Sequence, residues 1–203
     1  VTGTDHYFTA EPASPDERRT RTVHLAGRDV DVATAGGVFS PDHLDGGTEV
    51  LLRHVPDPPQ DGDLLDLGCG WGPVALSLAL HAPAARVWAV DVNERALDLT
   101  RRNAEALGLT GVTAVRPEDV PDDVRFAAIW SNPPIRVGKE ALHAMLRQWL
   151  RRLVPGGAAY LVVAKNLGSD SLARWLAAEL GDAADVARVA TDRGFRVLRV
   201  TSR

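Results

Sequence analysis

Cysteine is nearly missing from this chain: Cys69 is the only one in 203 residues. A disulfide framework is therefore excluded, and a cysteine-built metal site lacks its ligands. The six histidines show no pairing typical of a zinc site, so no metal is expected. No apolar run approaches the roughly 20 residues that span a bilayer. The opening stretch VTGTDHYFTAEPASPDERRTR has no apolar signal-peptide core, which predicts a cytoplasmic protein with no membrane partner. A basic excess is missing too: the net charge is −4 and the sequence pI about 5.9. That argues against non-specific coating of nucleic acid, yet leaves room for an enzyme that touches a small part of an RNA through a local patch. Internal repeats and low-complexity tails are also absent. What is present is ordinary for a globular domain: 45% hydrophobic and 25% charged residues, at a length that can bury a core.

From residue 61 onward, short apolar runs alternate with helical patterns. DLLDLG, RVWAVDV, VTAV, RFAAIWSN and AAYLVVAKN read as strands. PVALSLALHA reads as a helix with Pro73 in its first turn, where proline is tolerated. NERALDLTRRNAEALG is amphipathic, with Leu97, Thr100, Ala104 and Leu107 on one face, Asn93 as its N-cap and Gly108 as its stop. GKEALHAMLRQWLRRLVPGG is expected as a helix ended by Pro155-Gly156-Gly157, with Arg147 and Arg151 on an exposed face. DSLARWLAAELG is a further helix. DVARVAT and GFRVLRVTS are joined by a short Asp192-Arg193 link, too short for a crossover, and so predict an antiparallel hairpin. The expectation is an α/β fold: a doubly wound, mostly parallel seven-stranded sheet with an antiparallel C-terminal hairpin. Residues 1–58 read as an appendage packed on the 59–203 core. It holds a hairpin turning at Ala26-Gly27, then a loop, then a short helix from about Thr48.

The segment LLDLGCGWGPV puts Gly68, Gly70 and Gly72 between a strand and a helix. A dinucleotide fingerprint needs its third glycine one place later, where this chain has Pro73. Asp66 precedes the loop by two residues; a carboxylate there repels a pyrophosphate but attracts an amine. Asp91, followed by Val92 and Asn93, ends the second strand, where an acid can accept both hydroxyls of a ribose. Glu118 and Asp119, in RPEDV after the third strand, can bond the exocyclic amine of an adenine. An amino-acid moiety, a ribose and an adenine in succession describe S-adenosylmethionine. The alternative is a glycine turn in a ligand-free fold, with both acids as caps.

The fourth strand runs into IWSNPPIRVGK. Proline is excluded from strand interiors and drives the preceding residue to extended geometry, so Asn132-Pro133-Pro134 is expected as a stiff turn at the strand's carboxyl end. In open α/β sheets ligands sit at that edge. DLGCGWG, VDVN and SNPPI, in this order, resemble the class I S-adenosylmethionine-dependent methyltransferases. With GVFSPDHLDGGTEVLL, the chain is similar more narrowly to the branch that methylates guanine N2 in small-subunit ribosomal RNA, over roughly residues 5 to 200. The resemblance implies a Rossmann-like methyltransferase fold that releases S-adenosylhomocysteine. It implies that Asp66, Gly68, Cys69, Gly70 and Gly72 hold the cofactor along with Asp91, Val92, Asn93, Glu118, Asp119 and Asn132. It also implies that Asn132, Pro133, Pro134 and Ile135 receive a planar nitrogen. An exocyclic amine is a poor nucleophile because its lone pair is delocalised. The Asn132 side-chain oxygen and the Pro133 carbonyl can each accept one N–H, localising that pair and aiming it at the methyl group.

Ile135 departs from the tyrosine or phenylalanine that many relatives carry, which reduces stacking; Phe39 can cover the base instead. Gly47-Thr48 starts a helix that Thr48 is expected to cap, either while facing the methionine carboxylate or as a plain N-cap with no ligand. Cys69 reads as a small buried residue. Arg136 and Lys139 flank the turn and suit phosphates. Arg18, Arg19, Arg21 and Arg28 interleave with Asp16, Glu17, Asp29 and Asp31, so phosphate contact and a solvated surface stay open. The substrate expected is ribosomal RNA or the small subunit, for a monomer or homodimer. Rival readings are adenine N6, protein glutamine N5 or small-molecule amine methylation, and a non-catalytic S-adenosylmethionine-binding partner subunit.

Overall fold

The computed structural model describes residues 17–203; the stretch 1–16, including Asp16 and most of the segment read above for its lack of a signal core, lies outside the described residues. Strands β1 (Arg18–Leu25) and β2 (Arg28–Ala35) pair as an antiparallel hairpin. Its turn is Ala26-Gly27, as the sequence predicts, and both residues take positive φ, 51° and 76°. That is the requirement of a two-residue turn whose twist matches the strands.

Helix α1 (Gly46–His54) follows, then β3 (Asp63–Leu67), α2 (Pro73–His81), β4 (Arg86–Val90), α3 (Glu94–Ala106) and β5 (Val112–Val115). The second half runs β6 (Phe126–Ser131), α4 (Lys139–Leu150), β7 (Leu153–Ala164), α5 (Ser169–Leu180), β8 (Ala184–Asp192) and β9 (Phe195–Ser202). The seven-stranded sheet has the order β5-β4-β3-β6-β7-β9-β8. Strands β3 to β7 are parallel, and β9 runs antiparallel to both its neighbours. The chain thus reverses direction across the sheet between β3 and β6, the switch point where such folds open a crevice.

Alternation of side chains along the strands separates two cores. Leu65, Ile129, Leu161 and Val163 pack with Leu146, Trp149, Leu172 and Leu176 of α4 and α5. Their neighbours Leu64, Ala128 and Val162 face the other way, onto Val50 and Leu51 of α1 and Val74 and Leu78 of α2. A third cluster joins Leu25, Val30 and Val32 of the hairpin to Trp71, Leu76, Ala96 and Leu99. This explains why PVALSLALH is apolar on all sides: α2 is covered by the sheet below and the hairpin above.

Three expectations change. The cap of α1 is Asp45, whose carboxylate accepts from Gly47 N and Thr48 N, so Thr48 is not the cap. Helix α4 stops at Leu150, because Leu153 already pairs with Phe126; Pro155-Gly156-Gly157 forms a bulge within β7, whose next pair is Ala128 with Ala158. The C-terminal hairpin turns at Arg193-Gly194, with φ of 45° and 82°, since Asp192 still pairs with Phe195. Helix α3 behaves as expected, with Asn93 capping Arg95 N and Ala96 N. Its end is closed by bonds from Gly108 N to Glu105 O and from Leu109 N to Ala104 O, the Schellman pattern.

Candidate active site

The site is built on the carboxyl ends of β3, β4 and β6. After β3 the chain turns sharply: Gly68 N and Cys69 N both donate to Val90 O, at 2.8 and 3.0 Å. Gly72 then starts α2 with φ of 98°, and a Cβ there would lie 2.9 Å from Thr100 Oγ1 on α3. Only glycine allows that close approach together with that backbone angle.

Two carboxyls face the loop. Asp91 Oδ2 accepts from Gly70 N at 2.9 Å and Oδ1 from Asn93 N at 3.0 Å. Burial raises its pKa despite these bonds. Asp66 is almost fully buried, and its Oδ2 accepts from Ala75 N, in the first turn of α2, at 2.9 Å. Burial, with a smaller push from Asp91, lifts its pKa to about 8, against the pull of Ala75 N. At neutral pH this carboxyl is largely protonated, and an arriving ammonium group would favour its ionised form. Cys69 is buried with its thiol pKa pushed up, chiefly by burial, and its Sγ lies 3.7 Å from Thr100 Oγ1. It fits the structural role expected of it.

Across the crevice, Ser131 Oγ donates to Leu67 O at 2.6 Å, tying the end of β6 to β3. Pro134 has φ −73° and ψ 76°, an inverse γ-turn in which Ile135 N donates to Pro133 O at 2.8 Å. The Pro133 carbonyl, expected to serve an acceptor amine, therefore already receives one bond within the turn. Asn132 Nδ2 donates to Asp45 Oδ2 at 2.8 Å and to Thr48 Oγ1 at 3.1 Å.

These elements enclose a cavity of about 730 Å³. Gly68, Gly70, Asp91, Val92 and Asn93 line one side, Asn132 to Val137 the other, with Phe39 and Asp45 at the α1 end. A small annex of about 20 Å³ adjoins it, bordered by Asp66, Cys69, Thr48 and Asn132. A larger hollow of about 930 Å³, between the hairpin, α1 and α2, is lined by Arg21 but by none of the residues expected to hold the cofactor or the acceptor amine. Phe39 is 40% exposed and lines both the cavity and its annex. Arg136 lines the cavity, whereas Lys139 stands exposed at the start of α4.

Glu118 and Asp119 do not line the cavity. Both are exposed on a short 3-10 turn that presents Pro117 instead, and Glu118 lies 3.6 Å from Arg116. Of the N-terminal arginines, Arg18 pairs with Asp98 and Arg21 with Asp42, both at 2.9 Å. Arg19 lies 3.5 Å from Glu17. These pairs fit the surface reading of that cluster. Arg147 is not simply exposed: it grips Glu179 of α5 through two bonds, at 2.6 and 3.0 Å.

Three residues at or beside the site carry no mark in the sequence reading. Asp45 holds Asn132; its signal is an Asp placed before a helix start. Phe195 lines the cavity and sits 3.1 Å from where a Gly47 Cβ would be. Asn103 bonds Ala33 N, Ala33 O and Trp71 O, joining hairpin, α3 and glycine loop. Nothing local in the sequence distinguishes Phe195 or Asn103 from ordinary strand and helix residues.

A doubly wound sheet with a glycine loop after β3, an acid ending β4 and a rigid amide turn after β6 frames a ligand crevice at the switch point, the kind that takes a nucleoside-bearing molecule. Residues 29–199 match the family described as methyltransferase small domain, and the chain belongs to that family. It is 33% identical over 198 residues to the uncharacterized protein YbxB of Bacillus subtilis, covering 96% of this chain and 97% of that one. It is 39% identical over 137 residues to ribosomal RNA small subunit methyltransferase C of Klebsiella pneumoniae, covering 64% of this chain and 39% of that one. Among solved structures it resembles the T. thermophilus 16S rRNA N2 methyltransferase RsmC, in complex with AdoMet and guanosine. The TM-score is 0.80 at 25% identity, over 93% of this chain and 52% of that one. The chain thus spans about two fifths of the Klebsiella relative and about half of the Thermus one.

Proposed function

We propose that this protein methylates an exocyclic amine, guanine N2 of small-subunit ribosomal RNA, with S-adenosylmethionine as donor. The observation that carries the reading is the Asn132 amide: its nitrogen is tied to Asp45 and Thr48, and its oxygen is left as an acceptor beside the cavity. When bound, S-adenosylmethionine supplies an electrophilic methyl group on a positively charged sulfur and leaves as the neutral thioether S-adenosylhomocysteine. The chain's residues fit that donor. Asp66, buried beside the annex, suits an ammonium, which compensates its charge on ionisation. Asp91, at the tip of β4, suits ribose hydroxyls.

On the acceptor side, Asn132 Oδ1 accepts one amine N–H, and the remaining lone pair of the Pro133 carbonyl accepts another. Fixing both protons localises the nitrogen lone pair; positioning and fixed dipoles then lower the barrier. The new N–C bond replaces the C–S bond, and the cationic nitrogen sheds its proton to water. Arg136, at the cavity, and Lys139, exposed at the start of α4, would contact flanking phosphates. The names of the relatives support ribosomal RNA, and this setting is cytoplasmic. Among the described residues no helix is long and apolar enough to cross a membrane.

The test is to incubate the protein with radiolabelled S-adenosylmethionine and, separately, naked ribosomal RNA, small subunits, transfer RNA and total protein. Label in N2-methylguanosine of small-subunit RNA is expected. Label confined to protein overturns the assignment. Asn132→Ala should keep donor binding and lose turnover.

A further inference from the structure

We propose that Asp45 is a positioning residue for this transfer: its carboxylate decides which end of the Asn132 side chain meets the acceptor. The proposal rests on the function proposed above. One oxygen, Asp45 Oδ2, receives three N–H groups: Gly47 N at 2.7 Å, Thr48 N at 3.1 Å and Asn132 Nδ2 at 2.8 Å. The second Nδ2 proton goes to Thr48 Oγ1 at 3.1 Å. Asparagine is ambiguous in shape but not in chemistry, since one end only donates and the other only accepts. A carboxylate oxygen has no proton to give, so the end facing it is the NH₂. Turning the amide over would set Oδ1 against that oxygen and aim the NH₂ at the amine it must hold. Two donors would then meet, and the acceptor would lose its bond.

The same device accounts for the second glycine of Asp45-Gly46-Gly47. A Cβ on Gly47 would lie 2.9 Å from Asp45 Oδ2, 3.1 Å from Phe195 Cε1 and 3.3 Å from Asn132 Nδ2. Any side chain there pushes into the bridge between α1 and the turn after β6. The cap of α1 thus serves two ends at once, the helix and the reacting amide.

Asp45→Ser separates them. A serine retains a capping oxygen for α1 but is too short to bridge to Asn132. In the cofactor-free, ¹⁵N-labelled protein the Asn132 NH₂ proton pair, identified by its disappearance in Asn132→Ala, should move in Asp45→Ser. With small-subunit ribosomal RNA as acceptor, kcat should fall by about 100-fold, as for a misplaced reacting group, with donor KM within about twofold. The melting temperature should hold. Asp45→Asn, whose carbonyl oxygen can replace Oδ2, should recover kcat to within about threefold of wild type. An unmoved NH₂ pair overturns the proposal, as does a wild-type kcat in Asp45→Ser or a loss that only tracks melting. Should the wild-type protein methylate no acceptor, the proposed function fails instead, and the NMR comparison still decides whether Asp45 holds the amide.

Discussion

Asp66 is a carboxyl placed where only its neutral form is comfortable until a cation arrives. Its pKa of about 8 in the folded protein, against 3.8 ordinarily, means the native state keeps a proton that the unfolded chain gives up. Stability drawn from this group therefore falls as pH rises from about 4 to about 8. Asp66→Asn removes the dependence. The cofactor-free variant should melt several degrees above wild type at pH 8.5 and close to it at pH 4, by scanning fluorimetry. It should also bind S-adenosylmethionine at least about tenfold more weakly in calorimetry, having lost the charge that answers the ammonium. Wild-type donor binding should release protons below pH 8, read as a buffer-dependent heat. A flat buffer dependence would count against Asp66 as the ammonium's partner.

At the scale of elements, the site depends on how closely helices approach the strands that carry its residues. Helix α2 starts at Gly72, against Thr100 of α3, and this contact fixes where the glycine loop ends. Gly72→Ala forces a side chain onto a left-handed backbone and into Thr100. Together these should cost about 2–4 kcal/mol, measured by urea unfolding. Gly72→Ala with Thr100→Ser should recover the part due to the Thr100 Cγ2 contact at 3.0 Å and none of the part due to φ. Sequence periodicity located these helices well, because their apolar faces repeat as they must. It misplaced the end of α4, since a Pro-Gly-Gly that reads as a helix stop serves as a strand bulge once β6 supplies a partner.

Over the whole molecule, the N-terminal hairpin acts on the site from behind. Trp71 Nε1 donates to Ser40 O at 3.2 Å, and Asn93 Nδ2 to Gly37 O at 2.8 Å, so the loop bearing Phe39 is moored to the glycine loop and to α3. Asn103, 1% exposed, adds three bonds to Ala33 and Trp71. Asn103→Ala strands these backbone groups and should cost about 2–4 kcal/mol. It should also weaken S-adenosylmethionine binding. Leu176→Ala, a cavity of about 2–5 kcal/mol on the α5 side of the sheet, should leave that binding within about twofold. Equal weakening by both variants would show that Asn103 acts through stability alone.

The sequence by itself determined the order of strands and helices, the two hairpins, the glycine loop with its two acids, and the rigid Asn-Pro-Pro turn. Each is written in local rules: period, cap, turn residue, the missing N–H of proline. Tertiary structure alone decided that Glu118 and Asp119 stand exposed outside the cavity's lining and that Phe195, from the last strand, belongs to it. It alone decided that a helix cap, Asp45, reaches 87 positions along the chain to turn an amide the right way round. Such contacts depend on where two distant elements meet. No periodicity records that, because the bond links side chains whose neighbours in sequence are unrelated.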